Sequence, residues 1–129
     1  MMLLRRVNLF VDRGGNMADG EVRSRSEAIS YLQDIQAKLM LDALNNLIIW
    51  PREKNLQCMT ELGLRHNDVA DILMKLEENH YNETVPDYDF PGEWLWVFLY
   101  QYYERVLYIK IKLRAKVICV SFHEQEYDD

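Results

Sequence analysis

Apolar residues recur along this chain with two different periods, and the change from one to the other divides it. In the first half the spacing is helical. Ser24-Arg25-Ser26-Glu27 has the S-x-x-E form of a capping box, which satisfies the unpaired N–H groups of a helix start. Behind it Ala28, Leu32, Ile35 and Leu39 fall at spacings of 4, 3 and 4, predicting a helix over about 26–41. Leu47-Ile48-Ile49-Trp50, closed by Pro51, reads as a short buried strand. Leu56, Met59 and Leu62 predict a short helix stopped by Gly63. Asn67 is the expected cap of the next helix, which carries Val69, Ile72, Leu73 and Leu76. The stretch from Asn79 to Gly92 holds Pro86, Pro91, Glu83, Asp87 and Asp89, and reads as a loop long enough to carry function.

From Trp94 onward the period is two. Three strands are predicted at about 94–101, 105–113 and 116–123, joined by Tyr102-Tyr103-Glu104 and Arg114-Ala115. Links this short favour an antiparallel meander. Helices followed by a run of strands predict an α+β fold, an antiparallel sheet ending in a three-stranded meander and packed against N-terminal helices. Trp94, Trp96 and Phe98 alternate with Leu95, Val97 and Leu99, so that strand is apolar on both faces and central.

A length of 129 residues suits one domain, here 24–129, preceded by an N-terminal arm at 1–23. Arg13-Gly14-Gly15 lies just before Met17, and its codons can spell a purine-rich ribosome-binding sequence. Either Met17 is the native start or the arm is a true terminal extension. Cys58 and Cys119 form no disulfide framework and sit in apolar stretches, consistent with reduced thiols in the cytoplasm. His66, His80 and His123 are scattered singly, with no zinc-type spacing, so neither metal nor cofactor is expected. No apolar run reaches the ~20 residues of a membrane span, and Met1-Met2-Leu3-Leu4-Arg5-Arg6-Val7 lacks the form of a signal peptide.

The middle strand of the meander is the most informative. Leu107, Ile109, Ile111 and Leu113 alternate with Tyr108, Lys110, Lys112 and Arg114, so one face is aliphatic and the other carries a tyrosine and three cations. On the last strand Ile118, Val120 and Phe122 are assigned to the core, and Cys119, Ser121 and His123 to the opposite face. A two-residue turn at Arg114-Ala115 pairs Tyr108 with Ser121 and Lys110 with Cys119, leaving His123 diagonal to Tyr108. A four-residue turn puts His123 directly opposite Tyr108. Either register gathers Tyr108, Lys110, Ser121 and His123 on one face.

The net charge of −6 excludes a protein that is basic all over, yet Arg105, Lys110, Lys112, Arg114 and Lys116 stand between 105 and 123 with no acid among them. A docking phosphodiester meets this local field rather than the net charge. The plain alternative is a solvated sheet face, where lysines discourage edge pairing. Tyr, Lys and His together supply what cleavage of RNA requires: a group to take the 2′-hydroxyl proton, a cation for the phosphorane and an acid for the leaving oxygen. Arg52, Glu53 and Lys54 read as a solvated helix start, and the acidic residues 124–129 as a frayed end.

Pro91-Gly92-Glu93, Trp96-Val97-Phe98, Leu107-Tyr108-Ile109-Lys110-Ile111-Lys112-Leu113 and Val117-Ile118-Cys119-Val120-Ser121-Phe122-His123 together resemble the MqsR-type toxins, mRNA interferases of type II toxin–antitoxin systems. Pro51-Arg52-Glu53-Lys54-Asn55-Leu56 and Glu61-Leu62-Gly63-Leu64 extend the likeness into the helical half, over roughly 26–127. The resemblance implies a RelE-like fold, metal-free and ribosome-independent endoribonuclease activity on mRNA, and a cognate antitoxin, for which a helix-turn-helix protein is expected. Tyr108 and Lys110 match the family's Tyr-x-Lys, and His123 takes the place of the basic residue after Ser-Phe. Two positions depart from the family pattern. Asn82 follows Tyr81 where the well-studied type has a lysine, and Leu95 stands where it has a glutamine.

These readings converge on a sequence-selective ribonuclease. Tyr108, Lys110 and His123 are its catalytic candidates, and Arg105, Lys112, Arg114 and Lys116 its RNA-binding ones. His123 is taken as the acid, with the base role open, because histidine as a residue type titrates near neutral pH. The rival readings are a decayed toxin or other protein-binding module, or an RNA-binding regulator without chemistry, each using the same face.

Overall fold

A computed structural model describes residues 7–11 and 17–126, with side chains from Glu21 onward. The remaining parts of the 1–23 segment, the expected start at Met17 as a question of processing, and the acidic end beyond Glu126 lie outside what is described. The architecture is α+β. Strands β1 (Val7–Val11) and β2 (Met17–Glu21) come first, then helix α1 (Arg25–Asn46), strand β3 (Leu47–Ile49), and helices α2 (Glu53–Leu62) and α3 (His66–Lys75). A 3₁₀ turn at Glu78–His80 leads into β4 (Tyr81–Pro86), followed by β5 (Trp94–Tyr102), β6 (Arg105–Leu113) and β7 (Val117–Glu124).

The strands form one sheet in the order β1-β2-β4-β5-β6-β7-β3. Every neighbouring pair is antiparallel except β3 with β7, which run parallel with Leu47 beside Val117 and Ile49 beside Cys119. The 94–102 strand is central, as its two apolar faces predict. Residues 81–86 are a strand and not the expected loop. Pairing of Thr84 with Trp96 and Val85 with Leu95 overrides the weak local signal, and Pro86 sits at the strand's last position, where its missing N–H costs no ladder bond.

Ser24 caps α1 as its sequence predicts, its hydroxyl accepting from Glu27 N at 3.2 Å. The helix is broken at Asp42 (φ −167°, ψ 88°), one residue past the predicted end. The Asp42 carboxylate accepts from Asn45 N and Nδ2 and starts the short turn that delivers the chain to β3. Gly63 ends α2 in the left-handed region (φ 67°). Helix α3 begins one residue before the expected cap Asn67. Asp68 instead accepts from Arg65 N at 2.8 Å and ties down the first turn.

Ala28, Leu32, Ile35 and Leu39 of α1 and Val69, Ala70, Ile72 and Leu73 of α3 pack on one face of the sheet. They meet Trp96 and Phe98 of β5, Leu107, Ile109 and Ile111 of β6, and Phe122 of β7. Full burial of side chains of this size contributes about 1.5–3 kcal/mol each. Tyr31 stacks on Trp96 at 4.4 Å, and its hydroxyl oxygen accepts from Leu113 N at 2.6 Å, clamping α1 to the sheet. The opposite face is left without helices. Among the described residues its apolar cluster is small: Leu95, Ile118 and Val120, with Trp50 and Val85 against it.

Candidate active site

The open face of β6 and β7 carries the candidate residues, and a β-bulge decides which of them reach it. Next to the 114–116 turn, Leu113 pairs with Val117 and Ile111 with Cys119. Beyond Val120 the register moves by one, so Lys110 pairs with Ser121 and Tyr108 with His123. Neither simple turn accounts for the whole ladder, but the His123-opposite-Tyr108 arrangement holds on the part that matters. The bulge also corrects the expected face assignment. Cys119 is fully buried among the helix-facing residues, whereas Ile118 and Val120 lie on the open face. Phe122, Ser121 and His123 keep their expected sides, because one extra residue restores the alternation.

Tyr108 and His123 stack with ring centroids 5.5 Å apart and planes at 21°. The Lys110 ammonium lies 5.5 Å from the Tyr108 ring centroid. His123 Nδ1 is 2.9 Å from the carbonyl oxygen of Glu124. A carbonyl only accepts, so that bond places a proton on Nδ1 and leaves Nε2 as the acceptor of the neutral ring. Burial pushes the Tyr108 phenol up to about 12, with the Glu83 charge adding to the rise and Arg52 opposing it. Burial lowers the Lys110 ammonium, and the neighbouring Arg52 charge lowers it further. Tyr108 is therefore a proton-holding donor at neutral pH, and Lys110 gives up its proton more readily than an ordinary lysine.

Arg52 is the cleft residue that sequence reasoning missed. It is exposed, as a solvated helix start would be, but it also reaches across to β7. Its Nη1 donates to Ser121 Oγ at 3.0 Å and to Val120 O at 3.4 Å. With Tyr108 and Lys110 it lines a cleft of about 460 Å³, whose other walls are Trp50, Val85, Leu95 and residues 86–89. The only signal in the sequence was its place directly after Trp50-Pro51, at the end of the β3 run.

The four cations expected to hold RNA are placed differently from one another. Lys112 is buried (1% exposed), with its Nζ 2.6 Å from Asp87 Oδ2 and 3.2 Å from Glu93 Oε1. Arg114 grips both oxygens of Glu93 at 2.8 Å. The Phe90 ring is held between them, 4.2 Å from Lys112 Nζ and 4.3 Å from the Arg114 guanidinium. Both cations thus fasten the 87–93 loop as a wall of the cleft. Hydrogen bonding to Arg114 holds the Glu93 carboxyl below its ordinary range. Arg105 pairs with Glu124 at 3.1 Å and, with Lys54 and His123, lines a second groove of about 250 Å³. Lys116 is exposed in the 114–116 turn, away from the Tyr108–His123 pair.

Leu95 lies in the cleft wall, while Asn82 falls at the irregularity between Tyr81 and Glu83 in β4. Cys58 and Cys119 are both free and buried, and burial pushes the Cys119 thiol up to about 12. Among the described residues no group of three or more His, Cys, Asp or Glu side chains is placed to hold a metal ion. No helix among them is long and apolar enough to cross a membrane.

No curated protein and no solved structure matches the chain. A family profile does: the one described as motility quorum-sensing regulator, toxin of MqsA, matches residues 30–124. That span runs from α1 through the Tyr108–His123 pair to the end of β7. The chain therefore belongs to the MqsR toxin family, the toxins of a toxin–antitoxin system.

Proposed function

We propose that this toxin is an endoribonuclease that cleaves mRNA without a metal ion, by attack of a 2′-hydroxyl on the adjacent phosphorus. The observation that carries the reading is the convergence of His123, Tyr108, Lys110 and Arg52 on one open face of the sheet. His123 Nε2 takes the 2′-hydroxyl proton, since its Nδ1 proton is committed to Glu124 O. We therefore read His123 as the base and not as the acid first expected. Tyr108 holds its proton and orients the 2′-oxygen. Lys110 and Arg52 stabilise the charge on the phosphorane. As the P–O5′ bond breaks, Lys110, with its lowered pKa, protonates the leaving oxygen. The products are a 2′,3′-cyclic phosphate and a 5′-hydroxyl.

Arg105 and Lys116 are assigned to flanking phosphates, and Lys112 and Arg114 to holding the 87–93 wall against which the RNA lies. The partners are mRNA and a cognate antitoxin that covers the open face, both in the cytoplasm. A second reading, a binding module without chemistry, draws on Leu95, an apolar side chain in the cleft wall. One experiment separates them. Purified chain is incubated with defined RNAs in EDTA and the ends are mapped. Cyclic phosphate and 5′-hydroxyl ends support the ribonuclease. Intact RNA that is nevertheless bound supports the module, and cleavage abolished by EDTA overturns the metal-free mechanism.

A further inference from the structure

We propose that Asn55, in the first turn of α2, is a positioning residue: it fixes the bulge at Val120 and thereby the phase of β7 that sets His123 against Tyr108. The proposal deepens the ribonuclease reading and rests on it for the catalytic consequence, though not for the geometry.

Asn55 is completely buried. A buried amide is costly unless its donors and acceptor are all used. Here they are. Nδ2 donates to Trp50 O at 3.0 Å and to Val120 O at 3.0 Å, and Oδ1 accepts from Phe122 N at 2.9 Å. Val120 O and Phe122 N flank Ser121, at the point where the β6–β7 register moves. A bulge disrupts the local ladder and strands backbone groups. Ser121 and Phe122 are buried, so these groups need a protein partner. The Asn55 amide supplies the donor and the acceptor that the ladder does not. Aspartate carries no N–H for Val120 O, and leucine satisfies neither group.

The bulge has a calculable effect. If the register beside the turn, with Ile111 opposite Cys119, continued unbroken, Lys110 would face Val120 and Tyr108 would face Phe122. Ser121 and His123 would then point into the helix-facing core, because a slip of one residue exchanges the faces of a strand. His123 reaches Tyr108 only because the extra residue is accommodated. Arg52 lies three residues before Asn55 and bonds to Val120 O and Ser121 Oγ, so the same docking carries the guanidinium to the cleft.

The test uses the full chain with Asn55→Ala and Asn55→Asp, and Leu73→Ala in the α3 core as a comparator destabilised elsewhere. Unfolding midpoints report the fold. Nuclear Overhauser contacts between the Tyr108 and His123 rings report the phase of β7, and kcat and KM on a defined RNA report catalysis. In Asn55→Ala the ring contacts are lost and kcat falls at least about tenfold, with KM changing by less than about threefold, as for a misplaced catalytic group. Leu73→Ala lowers the midpoint but keeps the contacts. Should Asn55→Ala not fold, Asn55→Asp, which keeps the acceptor for Phe122 N, carries the same expectation. Ring contacts and kcat both unchanged in a folded Asn55 variant overturn the proposal. A wild-type chain that leaves RNA intact overturns the ribonuclease reading instead, and the ring contacts, which need no RNA, still decide the geometry.

Discussion

Tyr108 and His123 face each other across the β6–β7 ladder with their rings stacked 5.5 Å apart, a half-buried phenol against an imidazole whose Nδ1 bonds to Glu124 O. This pairing gives the roles different sensitivities. On the proposed mechanism His123→Ala removes the base and should lower kcat by about 10²–10⁴. Tyr108→Phe keeps the stack and loses only the hydroxyl, so it should cost less. Single-turnover cleavage of one defined RNA measures both. A Tyr108→Phe chain as slow as His123→Ala would move the proton transfer from histidine to tyrosine.

Arg52→Ala removes a cation from the cleft and a partner from Ser121. RNA affinity should fall, and the salt dependence of binding should flatten by about one unit of slope, the signature of a lost phosphate contact. Because the Arg52 charge helps to lower Lys110, the variant's Lys110 should titrate at higher pH than in the parent chain. Carbon NMR at the lysine Cε follows this directly, and an unmoved Lys110 would argue against the coupling.

The Lys112–Asp87 pair is buried on both sides, so its two halves should behave very differently from the whole. Lys112→Met alone leaves a buried carboxylate unpaired and should cost about 3–5 kcal/mol in urea unfolding. Lys112→Met combined with Asp87→Leu should recover most of that loss. Recovery of stability without recovery of RNA cleavage would show that the wall at 87–93 serves the cleft as well as the fold.

Stability should also carry the mark of Tyr108 at alkaline pH. Its pKa is near 10 in the unfolded chain and about 12 in the folded one, so the folded state holds the proton between those values. The contribution is complete below pH 10 and is lost as the pH rises toward 12, amounting to roughly 2 kcal/mol. Lys110 works with the opposite sign. Its depressed pKa makes stability rise as the pH passes its folded value toward 10.5. Urea unfolding of the parent and Tyr108→Phe chains at pH 9.5 and 11.5 isolates the tyrosine part, which should vanish in the variant.

What was legible in the sequence follows what is local. The alternation of Leu107 to Arg114 gave both faces of β6, the capping box gave the start of α1, and Gly63 gave the end of α2. The order of helices before strands set the fold class, and the alternation of β6 and of the last strand, joined by a short turn, set the Tyr108, Lys110 and His123 cluster. The bulge did not, because it depends on an amide in α2 pairing with backbone more than sixty residues later. Arg52 was missed for the same reason. Its neighbours in sequence are charged and solvated, and its partner Ser121 lies on another strand. The 81–86 strand was hidden because its pairing with β5, not its own composition, makes it extended. The ion pairs of Lys112 and Arg114 were likewise invisible while the acids of 87–93 were read as a separate loop.

The parallel seam between β3 and β7 has a consequence in time. Leu47 to Ile49 are synthesised well before Val117 to Cys119, the strand they pair with, so they and the nearby Arg52 wait for the end of the domain before they have a strand partner. Contacts so distant in sequence are the slow ones to close. A chain still emerging from the ribosome has the aliphatic face of β6 but no His123 and no seat for Arg52. The open face of this toxin is thus completed only when its last strand docks.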